Sequence, residues 1–118
     1  MSQMRSVLDI PIFHKAYDLY KLLYSYHDRI PKSARYTLWQ KCENTTLAFL
    51  ERLIEMGHQK ENERLQALYA ISDKLDLLKV LIRLAKDTRI IDEVQYLAIQ
   101  TIIQEIGKMI GGWIKSVL

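Results

Sequence analysis

The chain has 118 residues, and 17 Lys and Arg against 14 Asp and Glu give it a formal net charge of +3, a size and balance that predict one domain spanning residues 1–118 with no second catalytic one. A hydrophobic fraction of 49% beside 26% charged residues belongs to a folded globular protein, not to a disordered tail. Only four Gly, two Pro and one Cys are present, which argues against an all-β or Rossmann-type fold and excludes both an internal disulfide and a cysteine-based zinc site.

Turn and cap residues cluster at Pro31 and Ser33, at Gly57 to Asn62, and at Asp87 to Asp92. Between these clusters lie four segments with apolar residues recurring every three or four positions. The first runs from about Pro11, whose missing N–H suits a first helical turn, to Arg29. Its apolar stripe reads Phe13, Ala16, Tyr17, Tyr20, Leu23 and Tyr24, and Pro31 ends it by pushing Ile30 out of the helical region. The second opens at Ser33, a capping type, and runs to Met56 with Leu38, Cys42, Thr45, Phe49, Leu53 and Met56 on its stripe. Gly57 then suits the residue just past the helix end.

The third segment extends from Asn62 to about Lys86 on a heptad-like seam of Leu68, Ile71, Leu75, Leu78, Ile82 and Ala85. The fourth opens on Asp92-Glu93-Val94-Gln95, a capping-box pattern, and its stripe is Ile99, Ile102, Ile106, Met109, Trp113 and Val117. Four long amphipathic segments joined by short turns predict an all-α protein, an up-down-up-down antiparallel four-helix bundle. The opening MSQMRSVLDIP has no apolar run of signal-peptide length, and no stretch approaches ~18 uninterrupted apolar residues. The expectation is a cytoplasmic protein with no membrane span.

A bundle helix needs one apolar face of a little over ~100°. On the third segment Leu77, Leu81 and Leu84, with Val80 beside them, fall away from the seam, and the first segment carries a smaller second stripe of Leu19, Leu22 and Tyr26. Monomers seldom expose such contiguous patches, so these residues are read as the interface of a homo-oligomer. Scattered surface apolar residues are the plainer alternative.

In an up-down bundle the first and third turns share an end. Arg29, Lys32, Arg35 and Lys41 cluster at one; Arg83, Lys86 and Arg89 cluster at the other, set against Asp28, Asp87, Asp92 and Glu93. The opposite end holds Glu51, Glu55, Glu61 and Glu63. On the third segment the polar strip between the apolar faces is Ser72, Asp76, Lys79, Arg83 and Lys86, and bases rising a turn at a time can follow a phosphate backbone. An ordinary solvated face is the competing reading.

Catalytic patterns are thin. Glu55-Met56-Gly57-His58 contains the E-x-x-H fragment of di-iron bundles, but those sites need two such fragments and two further inward glutamates, Gly57 is expected to end the helix, and no second E-x-x-H exists. His14 and Asp18 share a face, and zinc needs three or four ligands. Cys42 lies on an apolar stripe without a histidine placed beside it, so it reads as a small buried residue. No metal, cofactor or catalytic residue is expected. Gly107-x-x-x-Gly111 reads as a place where another backbone approaches closely.

The stretch Glu105-Ile106-Gly107-Lys108-Met109-Ile110-Gly111-Gly112-Trp113-Ile114-Lys115-Ser116 resembles the C-terminal helix of Avd, the accessory variability determinant of diversity-generating retroelements. Leu75-Asp76-Leu77-Leu78-Lys79-Val80-Leu81-Ile82-Arg83-Leu84-Ala85 and Ile10-Pro11-Ile12-Phe13-His14-Lys15-Ala16-Tyr17 are similar to the same family. The ribosomal-RNA intervening-sequence proteins, with an RNA- or protein-binding role, share the bundle and a similar last helix; the Gly-Gly-Trp-Ile-Lys ending favours Avd. The resemblance implies a homopentamer with a basic surface that binds nucleic acid, template RNA or cDNA, and the element's reverse transcriptase. It implies support of mutagenic reverse transcription and retrohoming without catalysis. The family's basic positions fall on Lys79 and Arg83, the former a Lys in place of Arg, which keeps the charge and loses the bidentate fork.

Overall fold

The computed structural model describes residues 10–118. The opening residues 1–9, read above for the absence of a signal sequence, lie outside them. Helix α1 spans Pro11–Tyr26 and tightens into a 3-10 turn at His27–Arg29. A single-turn helix α2, Lys32–Arg35, precedes α3, Leu38–Met56. A second 3-10 turn, Glu61–Glu63, leads into α4, Arg64–Asp87, and the last helix, α5, covers Glu93–Val117. Among the described residues there is no strand.

The helix starts follow local chemistry. Pro11 occupies the first turn of α1, where it gives up no helical hydrogen bond. Asp92 caps α5: its carboxylate accepts from the Gln95 N–H at 2.7 Å, and the Gln95 side chain accepts from the Asp92 N–H at 2.9 Å. The start of α3 differs from the sequence expectation, and its end at Met56 agrees with it. The helix foreseen from Ser33 is interrupted at Tyr36 and Thr37, where the Thr37 hydroxyl donates to the Ser33 carbonyl; a β-branched hydroxyl beside a free carbonyl competes with helix continuation. Gly57 ends α3 with φ −62°, so its left-handed freedom goes unused.

The long helices α1, α3, α4 and α5 pack as four sides of one bundle: α1 on α3 and α5, α4 on α3 and α5. Thus α1 and α4 occupy diagonal corners. The molecule measures 44 × 26 × 20 Å. The α4 seam is buried at every expected position, from Leu68 to Ala85, and α3 buries Cys42, Thr45, Phe49, Leu53 and Met56. Trp39 plugs the core from the start of α3, its indole N–H donating to the Leu23 carbonyl at 3.2 Å.

The outer helices are rotated relative to expectation. In α1 the buried residues are Ile12, Ala16, Leu19 and Leu23, while Tyr17 and Tyr24 face outward. In α5 they are Ile99, Ile103, Ile106 and Ile110. Ile102 and Val117 are half-buried, and Met109 and Trp113 line a shallow apolar groove with Ile10, Pro11 and Ile12. Each pair of competing stripes has three- and four-residue spacing, so period alone does not choose between faces about 100° apart. Gly107 brings no backbone close: a Cβ there would meet only side chains, Leu75 Cδ2 at 3.7 Å and Lys79 Nζ at 4.0 Å. Gly111 and Gly112 face open space.

Candidate nucleic-acid and partner interface

The bases of the first and third turns meet. Arg29 and Pro31 line one side of a cleft of about 660 Å³; Lys86, Arg89, Asp92 and Glu93 are among the residues of the other. The α4–α5 turn that builds this cleft is a Schellman-type ending. Arg89 adopts a left-handed φ of 63°, donates its N–H to the Lys86 carbonyl at 2.9 Å, and is followed by an Ile90 N–H donating to the Ala85 carbonyl at 2.9 Å. Glycine is the usual occupant of such a position, and an Arg there is strained. The side chain of Arg89 is thereby presented at the cleft.

Below the cleft, Lys79 and Arg83 climb one edge of α4 beside α5, with Lys79 lying next to Gly107. Each has an acid partner on its own helix: Asp76 stands 3.7 Å from Lys79, and Asp87 stands 3.5 Å from Arg83. Lys86 pairs with Glu93 at 3.5 Å and lies 4.5 Å from the Tyr96 ring centroid. Such exposed pairs contribute roughly 0–1 kcal/mol and yield readily to a phosphate. The ridge is nevertheless close to neutral as folded.

Arg29, Lys32 and Arg89 are exposed and have no ion pair among the described residues. The uncompensated charge therefore sits in the turns rather than along α4. Arg35, expected among the contact bases, is occupied internally. Its Nη2 donates to the Ile30 carbonyl at 3.0 Å and the Asp28 carbonyl at 3.2 Å, tying down the α1–α2 turn.

The residues expected at an oligomer interface divide into three groups. Leu19 is 1% exposed and belongs to the core, so the second stripe foreseen on α1 is not an outward one. Leu22, Tyr26 and Leu81 are half-buried and pack against that core. Leu77 and Leu84 are exposed, with Val80 between them at 63%.

A polar cluster between α1 and α3 escaped the sequence reading. Glu43 is buried on α3, and its Oε2 lies 3.1 Å from His27 Nδ1. His27 is flanked by the rings of Tyr24 and Tyr36. Burial, and then the Glu43 charge, raise the pKa of Tyr20. The same two causes push the Cys42 thiol up to about 12, so it is protonated and inert as a nucleophile. No group of three or more His, Cys, Asp or Glu could hold a metal among the described residues. Nor is any helix among them long and apolar enough to cross a membrane.

A family model described as bAvd-like matches residues 11–117. The chain belongs to the bAvd-like family. The match takes in all four long helices, so the Avd resemblance of the last helix extends over the bundle. Avd proteins are accessory proteins of diversity-generating retroelements and are not known as catalytic. No curated protein and no solved structure matches the chain.

Proposed function

We propose that this protein is the homopentameric accessory subunit of a diversity-generating retroelement. It binds the element's reverse transcriptase together with template RNA or cDNA in the cytoplasm, and it supports mutagenic reverse transcription and retrohoming. The chain acts as a single domain, an up-down-up-down bundle, and supplies no catalytic group. The bAvd-like match over residues 11–117 carries this reading.

The chemistry of the contact is electrostatic. Arg29, Lys32 and Arg89, which have no ion pair among the described residues, offer charge at one end of the bundle, and Lys79, Arg83 and Lys86 extend it along α4. Arg35 supports the contact from behind by holding the turn. Phosphates displace the weak acid partners of the ridge, and cyclic repetition lets modest patches act together through effective concentration. The affinity then falls with salt at a log–log slope of about −0.7 to −0.9 for each phosphate neutralised.

The test is the pair Lys79→Glu and Arg83→Glu, alone and with Arg29→Glu, after sedimentation and thermal unfolding establish that each variant folds and assembles as the unmutated chain does. The expected result is loss of reverse-transcriptase capture and of cDNA synthesis, most complete in the triple variant. Normal capture and normal cDNA from the triple variant would overturn the assignment of the site.

A further inference from the structure

An aromatic row runs along the α3 side of α1. Five of the seven tyrosines in the sequence fall between residues 17 and 36, and Tyr17, Tyr24 and Tyr36 are each at least half exposed. Tyr20, Tyr24 and His27 follow one another with ring centroids 6.2 Å apart and successive planes 25° apart. Tyr36 meets His27 edge-on at 6.3 Å, and Glu43 Oε2 holds His27 Nδ1 at 3.1 Å. The rings form an ordered series rather than a scatter of surface tyrosines.

Cations stand along the same series. Lys21 Nζ lies 5.6 Å from the Tyr17 ring centroid. Arg29 and Lys32 are exposed at the other end, and none of these three bases has an ion pair among the described residues. Arg29 also lines the basic cleft between the first and third turns, so row and cleft join at that residue. Asp18 and Asp28 are exposed on the same helix-and-turn unit, and Glu43 is buried beneath it. These acids offset the three bases, so charge alone does not account for the row.

Ring faces with bases beside them suit a flat ligand on a charged backbone. Proteins hold single-stranded nucleic acid in this way, with bases stacked on aromatic side chains and cations tracking the phosphates. In a duplex each base face is covered by its neighbours, so only unpaired bases can reach such rings. A protein partner fits less well, because interface cores are depleted in charged residues, Lys among them, and Lys21 sits on the row itself. We propose that Tyr17, Tyr20, Tyr24, His27 and Tyr36 form a stacking platform for the unpaired bases of a single-stranded nucleic acid whose backbone continues into the cleft at Arg29. The inference rests on the nucleic-acid reading above and adds base contacts to the electrostatic ones. It gives the site a selectivity for unpaired bases that charge does not supply, with little sequence preference, because every base has a π-face.

Fluorescence anisotropy with four labelled probes of equal length tests it: single-stranded RNA, single-stranded DNA, an abasic DNA strand and a DNA duplex. The unmutated chain should bind the RNA and DNA strands comparably and the abasic strand more weakly. Tyr24 and Tyr36 are exposed, so Tyr24→Ala and Tyr36→Ala should fold as the unmutated chain does. Each should weaken both single strands by about 5- to 150-fold, the range for one base stacked on one ring, and leave the abasic strand and the duplex unaffected. Tyr24→Phe keeps the ring and should bind normally. A bromouridine-substituted strand photocrosslinked to the unmutated chain should mark peptides containing Tyr17, Tyr24 or Tyr36.

An unmutated chain that binds none of the probes would overturn the nucleic-acid reading and this inference with it. Equal affinity for abasic and intact strands, or full affinity in both alanine variants, would overturn the stacking alone and leave the electrostatic contact standing. A loss confined to RNA or to DNA would point to the sugar rather than the base and would also refute it, as would crosslinks found only on α4 or the α4–α5 turn. Variants that bind RNA normally but no longer capture the reverse transcriptase, or that sediment as smaller particles than the unmutated chain, would make the row a protein-binding face and sink the proposal.

Discussion

Arg89→Gly separates the stability of this protein from its proposed contact with nucleic acid. Arg89 is the one non-glycine residue with positive φ among those described, and a left-handed conformation costs an L-residue about 1–2 kcal/mol. Glycine relieves that strain but loses about 0.5–1 kcal/mol through its greater freedom in the unfolded chain. The two backbone hydrogen bonds of the turn, from the Arg89 and Ile90 N–H groups, are unaffected by the side chain, and Arg89 holds no ion pair among the described residues. The net expectation is a gain of about 0.5–1 kcal/mol, or about 2–5 °C in Tm for a domain of this size. The melt must compare equal protomer concentrations, because assembly shifts Tm. The same substitution removes an uncompensated charge from the cleft, so nucleic-acid affinity should fall and the salt slope should shrink by about 0.7–0.9 for each phosphate released. Fluorescence anisotropy with a labelled RNA, titrated at several salt concentrations, reads both quantities. A lower Tm would show that the Arg89 side chain stabilises the fold by contacts beyond the backbone. An unchanged salt slope would remove Arg89 from the contact surface.

Leu78→Ala should destabilise the protein by ~2–5 kcal/mol in denaturant unfolding, because Leu78 is buried in the α4 seam and its loss leaves a cavity; a cost below about 0.5 kcal/mol would contradict the packing. Cys42 has its thiol pKa raised from 9.0 to about 12 in the fold, so above pH 9 the unfolded chain loses a proton that the folded chain keeps. Its contribution to stability should be intact below pH 9 and fall as pH rises towards 12, and iodoacetamide at pH 8 should label Cys42 only when denaturant unfolds the chain. Rapid labelling of the native protein would refute its burial.

Periodicity made the helices legible, and α4 shows why it can also fix a face. Its seam from Leu68 to Ala85 is bounded on the α5 side by Ser72, Asp76 and Lys79, so a rotation towards that side would bury polar groups. In α1 that discrimination fails. Ile12, Ala16, Leu19 and Leu23 compete with Phe13, Tyr17, Tyr20 and Tyr24, one residue over, at the same spacing. Tyrosine counts as apolar in a pattern, yet its hydroxyl prefers water unless a partner is supplied, and this preference decides for the aliphatic set. In α5 both candidate stripes share Ile99 and Ile106, and Ile103 and Ile110 replace Ile102 and Met109 in the core because the wheel gives no polar residue to separate them.

The placement of the candidate site's bases was legible in the sequence, and their charge balance was not. Placing Arg29 and Lys86 at one end needed only the direction of the helices. That Lys79 and Arg83 face Asp76 and Asp87, and that Arg35 is spent on the Asp28 and Ile30 carbonyls, depends on rotamers that spacing does not determine. The consequence is functional. A ridge already paired at folding is neutral to a distant phosphate and gains little long-range attraction, whereas turn residues without an ion pair among the described residues act at a distance and favour encounter. The turns should therefore govern the association rate and its salt dependence, and the ridge should govern how long the complex lasts once the acid partners have been displaced. Stopped-flow association of labelled RNA distinguishes the two: Arg29→Gln and Arg89→Gly should slow binding, Lys79→Gln and Arg83→Gln should hasten release, and the reverse pattern would show that the ridge makes the first contact.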